Sequence, residues 1–177
     1  MAIVQTYRTA SLKKRLLAWF LDAFLVFIVQ AVILYLIFGS QLTLISENYV
    51  EEIISFEQMV DQFTLLASSS DYTTMQFYFF TVVLLYYVVA AYFMQGATLG
   101  KKMCGIAIIG ENGKTPTFSS LTFREFLIKY VAAQFSCHII SIVSLIMMIT
   151  REDKLTIHDL LAKTRVVETD TMNQIII

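Results

Sequence analysis

Two ionisable residues stand at the mouth of a long apolar run: Arg15 at its start and Asp22 within it, seven residues further on. On a helix that spacing puts both on one face, about 10.5 Å apart along the axis. A carboxylate inside a membrane span costs several kcal/mol unless it is neutralised, paired or hydrated, so Asp22 needs a partner. Both side chains lean toward the helix N-terminus, so direct contact would require Arg15 to fold back. A bridging water or a basic group from another segment serves equally well. The chemistry on offer is that of a protonatable cation or proton site. The alternative is a polar clamp that fixes the helix against the cytoplasmic part of the chain. Gln30, eight residues after Asp22, extends a polar line along the same face. A second line, Gln134, His138, Ser141 and Ser144, recurs every three or four residues. Such lines join membrane helices through hydrogen bonds, and His138 could in addition relay protons.

Nothing else in the chain has the spacing of an enzyme. There is no glycine-rich phosphate loop, no HExxH and no GxSxG, and His158 beside Asp159 is too weak a pair to infer catalysis. Cys104 and Cys137 lie far apart without a CxxC partner, which supports neither zinc nor a disulfide framework. No enzyme activity, cofactor or metal is therefore expected. The basic residues are too scattered among apolar runs to recognise nucleic acid.

The elements that must hold these residues belong to a bilayer. Of 177 residues 57% are hydrophobic and 15% charged, whereas a soluble domain carries about 25% charged residues. Net charge is only -1, but the signs are segregated along the chain. Residues 16–38 form an apolar run with one charge, and 75–94 a run with none; both suit a hydrocarbon core about 30 Å thick. The basic cluster Lys13, Lys14, Arg15 precedes a run too long for a signal peptide, so the first span should persist.

Between the spans, 39–74 contains Glu47, Glu51, Glu52, Glu57, Asp61 and Asp71 but no Lys or Arg, which places it outside the cytoplasm. Ile45, Tyr49, Ile53, Val60 and Phe63 recur there at helical spacing, predicting one amphipathic helix over about 42–66. It serves either as a solubilising connection or to bind a partner or gather cations. Residues 95–118 turn basic and rich in turn formers, a short cytoplasmic flap with β character around 105–109. The run 119–150 reads either as one span or as a helix pair. A tilted interfacial helix over 121–135 followed by a membrane helix over 136–149 returns the basic tail, 151–177, to the cytoplasm. That arrangement is favoured, because the strand-like TRVVE of the tail, 164–168, and the 105–109 strand are each too short to stand alone. The expected fold is an all-α membrane protein: one domain, a small bundle of three to four membrane-embedded helices with an acidic extracytoplasmic amphipathic helix and a short β-like flap, the N-terminus cytoplasmic. The lipid bilayer is one partner. So few helices cannot easily enclose an aqueous path, which predicts further copies of the chain or another membrane protein.

Three separated patterns resemble a known family: RLLAWFLDAFLV from Arg15, GATLGKKMCGIAII from Gly96 leading to FREFL at Phe123, and REDKLTIHDLLAKTRVV from Arg151. Together they are similar to the RDD family of bacterial membrane proteins, named for one arginine and two aspartates. The resemblance implies that these are Arg15, Asp22 and Asp159. It further implies that the tail docks beside Arg15 as a three-member charge network. One departure is Lys163, which stands where the family commonly has glycine and so argues against a tight turn. The resemblance also implies a bacterial cytoplasmic membrane and transport, with proton-coupled cation exchange as the concrete form. A non-transporting scaffold or assembly subunit is the alternative.

Overall fold

The computed structural model describes residues 7–171 and is mostly helical, with one small sheet. Two compact units are present, one formed by the chain up to Phe24 and from Val83 onward, the other by Leu25–Val82.

Helix α1, Leu12–Val50, runs for 39 residues without interruption, well past the expected end of the span at residue 38. Gly39, Ser40, Thr43 and Ser46 do not stop it: the Thr43 hydroxyl donates to the Gly39 carbonyl and that of Ser46 to Thr43, so these hydroxyls sit on the helix without unwinding it. The chain turns at Glu52, whose φ is +57°, and α2, Phe56–Ala67, begins anew. Ser55 accepts from the Gln58 amide while the Gln58 side chain accepts from the Ser55 amide, a capping box that fixes this start. The expected single acidic helix over 42–66 is thus two helices, divided by a signal present in the sequence as Ser-x-x-Gln. Gln30 is half-buried on α1 within the second unit.

Helix α3 spans Ser70–Phe93 and contains a π-helical stretch, Leu85–Ala90. Among the described residues, α1 and α3 are the two helices long and apolar enough to cross a membrane. A short helix α4, Leu99–Met103, leads into strand β1, Ile106–Gly110. Helix α5, 118–135, is π-helical over Thr122–Ala132. After a break at Cys137 and His138, which take φ of +47° and +64°, α6 covers Ile139–Thr150. The run 119–150 is therefore a helix pair. A one-turn helix α7, Ile157–Leu161, precedes strand β2, Thr164–Glu168.

The flap strand and the tail strand do pair, antiparallel, from Ile106 opposite Glu168 to Gly110 opposite Thr164. The N-terminal segment lies along the other edge of β2: Ala10 donates to Val166, Glu168 to Arg8, and Thr9 bridges Val167. The start of α1, the loop after α3 and the tail are thereby tied into one layer. Ile106, Ile108 and Val166 of this layer pack with Ala10, Ala18, Val88, Ala91 and Leu121 into the core of the first unit. Small residues at 18 and 91 let the helices approach closely. By contrast Leu16, Leu17, Trp19, Phe20 and Phe24 of α1 are exposed, an apolar surface suited to lipid.

The tail turn forms despite Lys163, which is left-handed at φ +51° and sends its carbonyl to the Glu111 amide. The turn does not depend on glycine here: strand pairing on its far side holds the lysine in a conformation that glycine adopts freely. Lys163→Gly should consequently raise unfolding stability in detergent by about 0.5–1 kcal/mol. Chemical denaturation would detect the change, and a loss of stability would show that the turn is unstrained.

Candidate functional site

Asp22 is 1% exposed and is held by three donors from two segments. The Tyr86 hydroxyl, from the π-helical part of α3, reaches Oδ1 at 2.6 Å, and the Gly100 amide reaches the same oxygen at 2.8 Å. The Thr98 hydroxyl reaches Oδ2 at 2.5 Å. Every donor to Asp22 among the described residues is neutral. Gly100 is required by proximity: a Cβ there would lie 2.5 Å from the Ala18 carbonyl and 2.6 Å from Asp22 Oδ1. The glycine lets the backbone at the head of α4 rest directly against α1, so that a peptide N–H can serve as ligand to the carboxylate.

A separate cluster of ion pairs lies at the start of α1 and the base of α5. Asp159 is 1% exposed and accepts at both oxygens. Oδ1 takes Arg124 Nε at 3.1 Å and Nη2 at 2.6 Å. Oδ2 takes the Thr156 hydroxyl at 2.7 Å, the Thr156 amide at 3.2 Å and Arg15 Nη1 at 3.5 Å. Thr156 and Asp159 also form the capping box of α7, so one carboxylate both starts the tail helix and anchors it to α1 and α5. Arg15 also donates to carbonyls, its Nη1 to Lys154 at 2.9 Å and its Nη2 to Val166 at 3.1 Å, while its buried Nε has no partner among the described residues. From Arg124 the chain of charges continues through Nη1 to Glu125 Oε1. Glu125 also binds Lys101 Nζ at 3.0 Å and Lys129 Nζ at 2.9 Å. Burial alone would push the Asp159 carboxyl up, but Arg124 foremost, then His158 and Arg15, hold it well below the usual carboxylate range.

Of the three residues singled out in the sequence, Arg15 and Asp159 meet and Asp22 does not join them. No hydrogen bond or ion pair links Arg15 to Asp22 among the described residues, so the expected three-member network is corrected. The reason is the one that side-chain direction implies: Arg15 reaches back toward the N-terminus and the tail, while Asp22 is captured by the loop after α3. The two clusters are adjacent in sequence at Gly100, which binds Asp22, and Lys101, which binds Glu125.

Tyr86, Thr98, Gly100, Lys101, Arg124, Glu125 and Lys129 were not singled out from sequence. Lys129 inside an apolar run and Glu125 as the lone acid of 119–150 carried the signal, since each demands a partner in lipid. The second polar line is also corrected. The left-handed break at His138 removes a continuous helical face; His138 and Ser141 are exposed, while Ser144 is buried with a hydroxyl that lacks a partner among the described residues. The side chain of Gln134 lies outside the described residues.

An uncharacterized protein, YckC, of Bacillus subtilis (strain 168) is 39% identical over 75 residues, covering 42% of this chain and 48% of that protein. The match thus spans about half the length of that relative. No solved structure matches. The profile of the RDD family matches residues 9–163, which takes in Arg15, Asp22, the loop that holds Asp22, and Asp159. On that match and its two long apolar helices, the chain is a membrane protein and belongs to the RDD family.

Proposed function

We propose that this protein exchanges protons for a small cation across the bacterial cytoplasmic membrane, as a transporter or as the accessory subunit of one, with Asp22 as the carrier. The observation that carries the reading is the contrast between its buried carboxylates. Asp159 and Glu125 are each tied to cations, whereas Asp22 accepts, among the described residues, from two hydroxyls and a peptide amide. Removing a proton from a carboxyl so held leaves a charge with no fixed counter-ion, and a second cation can then take the proton's place. Tyr86 and Thr98 supply oxygens that can turn from donors to ligands when the charge is balanced. The basic residues at the start of α1 and in the loop after α3, against the acidic stretch 47–71, favour a cytoplasmic N-terminus. With two long apolar helices per chain, an aqueous path calls for several copies or a membrane partner.

Flux in sealed vesicles tests this. Wild-type protein should couple a sodium or potassium pulse to movement of a pH-sensitive dye above the rate of empty vesicles, and Asp22→Asn, recovered in equal folded amount, should return it to that rate. Equal movement in wild type and variant ends the proposal.

A scaffold role is favoured by a different feature of the same bonds: they tie α1 to α3 and to the head of α4, as a structural clamp would. On that reading Asp22→Asn lowers the amount of folded protein or of a stoichiometric partner recovered with it, and no flux accompanies the wild type.

A further inference from the structure

We propose that 118–150 is a re-entrant hairpin: α5 and α6 enter and leave the bilayer from the same face, and α6 lies against the acyl chains of a single leaflet. This holds whether or not Asp22 carries protons.

The ends of the segment are held together. β1 precedes it and β2 follows it, and the two pair along their whole length. Closer in, the Ser120 hydroxyl donates to the Ala162 carbonyl at 3.1 Å and Arg124 grips Asp159. A single crossing would pull these partners to opposite faces of the membrane. Length argues the same way. α6 has 12 residues, about 18 Å of helix against a hydrocarbon core of about 30 Å. It reaches roughly the midplane.

The surface of the hairpin has the chemistry of lipid contact. No Asp, Glu, Lys or Arg occurs between Lys129 and Arg151. Ile139, Ile142, Val143, Ile146 and Ile149 of α6 are exposed. They extend the kind of apolar surface that Leu16, Leu17, Trp19 and Phe20 offer at the start of α1 in the same unit. The charges of α5, Arg124, Glu125 and Lys129, end six residues before its C-terminus and are bonded to one another.

The turn at the tip points to a dry environment. Although Cys137 and His138 are left-handed, three successive amides from His138 onward find acceptors within the hairpin. The His138 amide bonds the Ala133 carbonyl at 2.7 Å, that of Ile139 the Ser136 carbonyl at 3.0 Å, and that of Ile140 the Ser136 hydroxyl at 3.4 Å. The Ser136 hydroxyl in turn donates to Ala133 at 3.2 Å. At a wet surface water would serve these groups; in hydrocarbon they must be satisfied internally.

Cys137 is exposed at this tip and Cys104 is half-buried, so the native chain carries its own reporter. Full-length protein in right-side-out and inverted vesicles is treated with a membrane-impermeant maleimide, and modified Cys137 is located by mass spectrometry. The expected result is loss of Cys137 labelling from both sides, with labelling restored in detergent micelles. Labelling from the side opposite the basic loops would mean that the segment crosses, and labelling from the basic side as in micelles would mean that it lies flat; either overturns the proposal. So would failure to label in micelles, since the thiol would not then be at an exposed tip. Nitroxides at Cys137 and, in separate variants, at Thr150→Cys give an independent reading: Cys137 should be the deeper, and equal depth overturns the inference.

Discussion

Asp159→Asn should destabilise the folded protein by about 3–5 kcal/mol, the cost of leaving buried cations without their counter-charge. The substitution keeps the shape of the side chain but turns one accepting oxygen into an NH2 donor, so the loss combines the charge with one acceptor. Arg124 is 1% exposed and would retain only Glu125, an acid it already shares with Lys101 and Lys129. Arg15 would keep its carbonyl acceptors and lose its only ion pair among the described residues. Urea unfolding in micelles, followed by helical signal, gives the difference. The sign with pH follows from the depressed carboxyl of Asp159. Its stabilisation is complete above the ordinary carboxylate value of 3.8 and is lost as pH falls through the lower value it has in the folded chain. Wild type should therefore weaken in strong acid more steeply than Asp159→Asn, and parallel acid profiles would show that the pair does not hold the fold.

Gly100→Ala should be nearly as damaging, for a steric reason. The new methyl would fall on the Ala18 carbonyl and on Asp22 Oδ1. Backbone on one side cannot yield by a rotamer change, so α4 must move off α1, at about 1–3 kcal/mol for overpacking. Where that movement breaks the amide bond to the carboxylate, about 1.5–3 kcal/mol more is lost. Tyr86→Phe, which deletes one donor and adds nothing, should cost less than Gly100→Ala in the same urea unfolding assay. The reverse order would mean that the close approach at Gly100 is unimportant and that the hydroxyl dominates.

These two sites were unequally readable in the sequence. Asp22 could be identified because a carboxylate within an apolar run always needs an explanation, and its seven-residue spacing from Arg15 fixed the helical face. What could not be read was which neutral groups would answer it. Tyr86 is one of several tyrosines in its span, and a threonine and a glycine before two lysines look like turn chemistry. Only the folded loop turns Thr98 and Gly100 toward α1. The strand pairing of 105–109 with 164–168 followed from simple need, since neither strand can stand alone. The break at Cys137 and His138 lies within two residues of the junction expected between 135 and 136, which followed from the charge of the tail and the need to pair the strands, since no glycine or proline marks the place locally. The two-helix form of the acidic stretch was available in Ser55 and Gln58, but the continuing periodicity of apolar residues masked it.

If Asp22 is a carrier, its carboxyl must change protonation while the Asp159 cluster stays fixed. The difference in infrared absorption between wild type and Asp22→Asn in the same vesicles isolates the Asp22 carboxyl. Under an imposed proton gradient with sodium or potassium on the opposite side, the isolated band should pass between its protonated and ionised forms as the cation is supplied and withdrawn. A band that stays in one form throughout, while wild-type vesicles still move protons, would contradict the carrier role and leave Asp22 as a clamp.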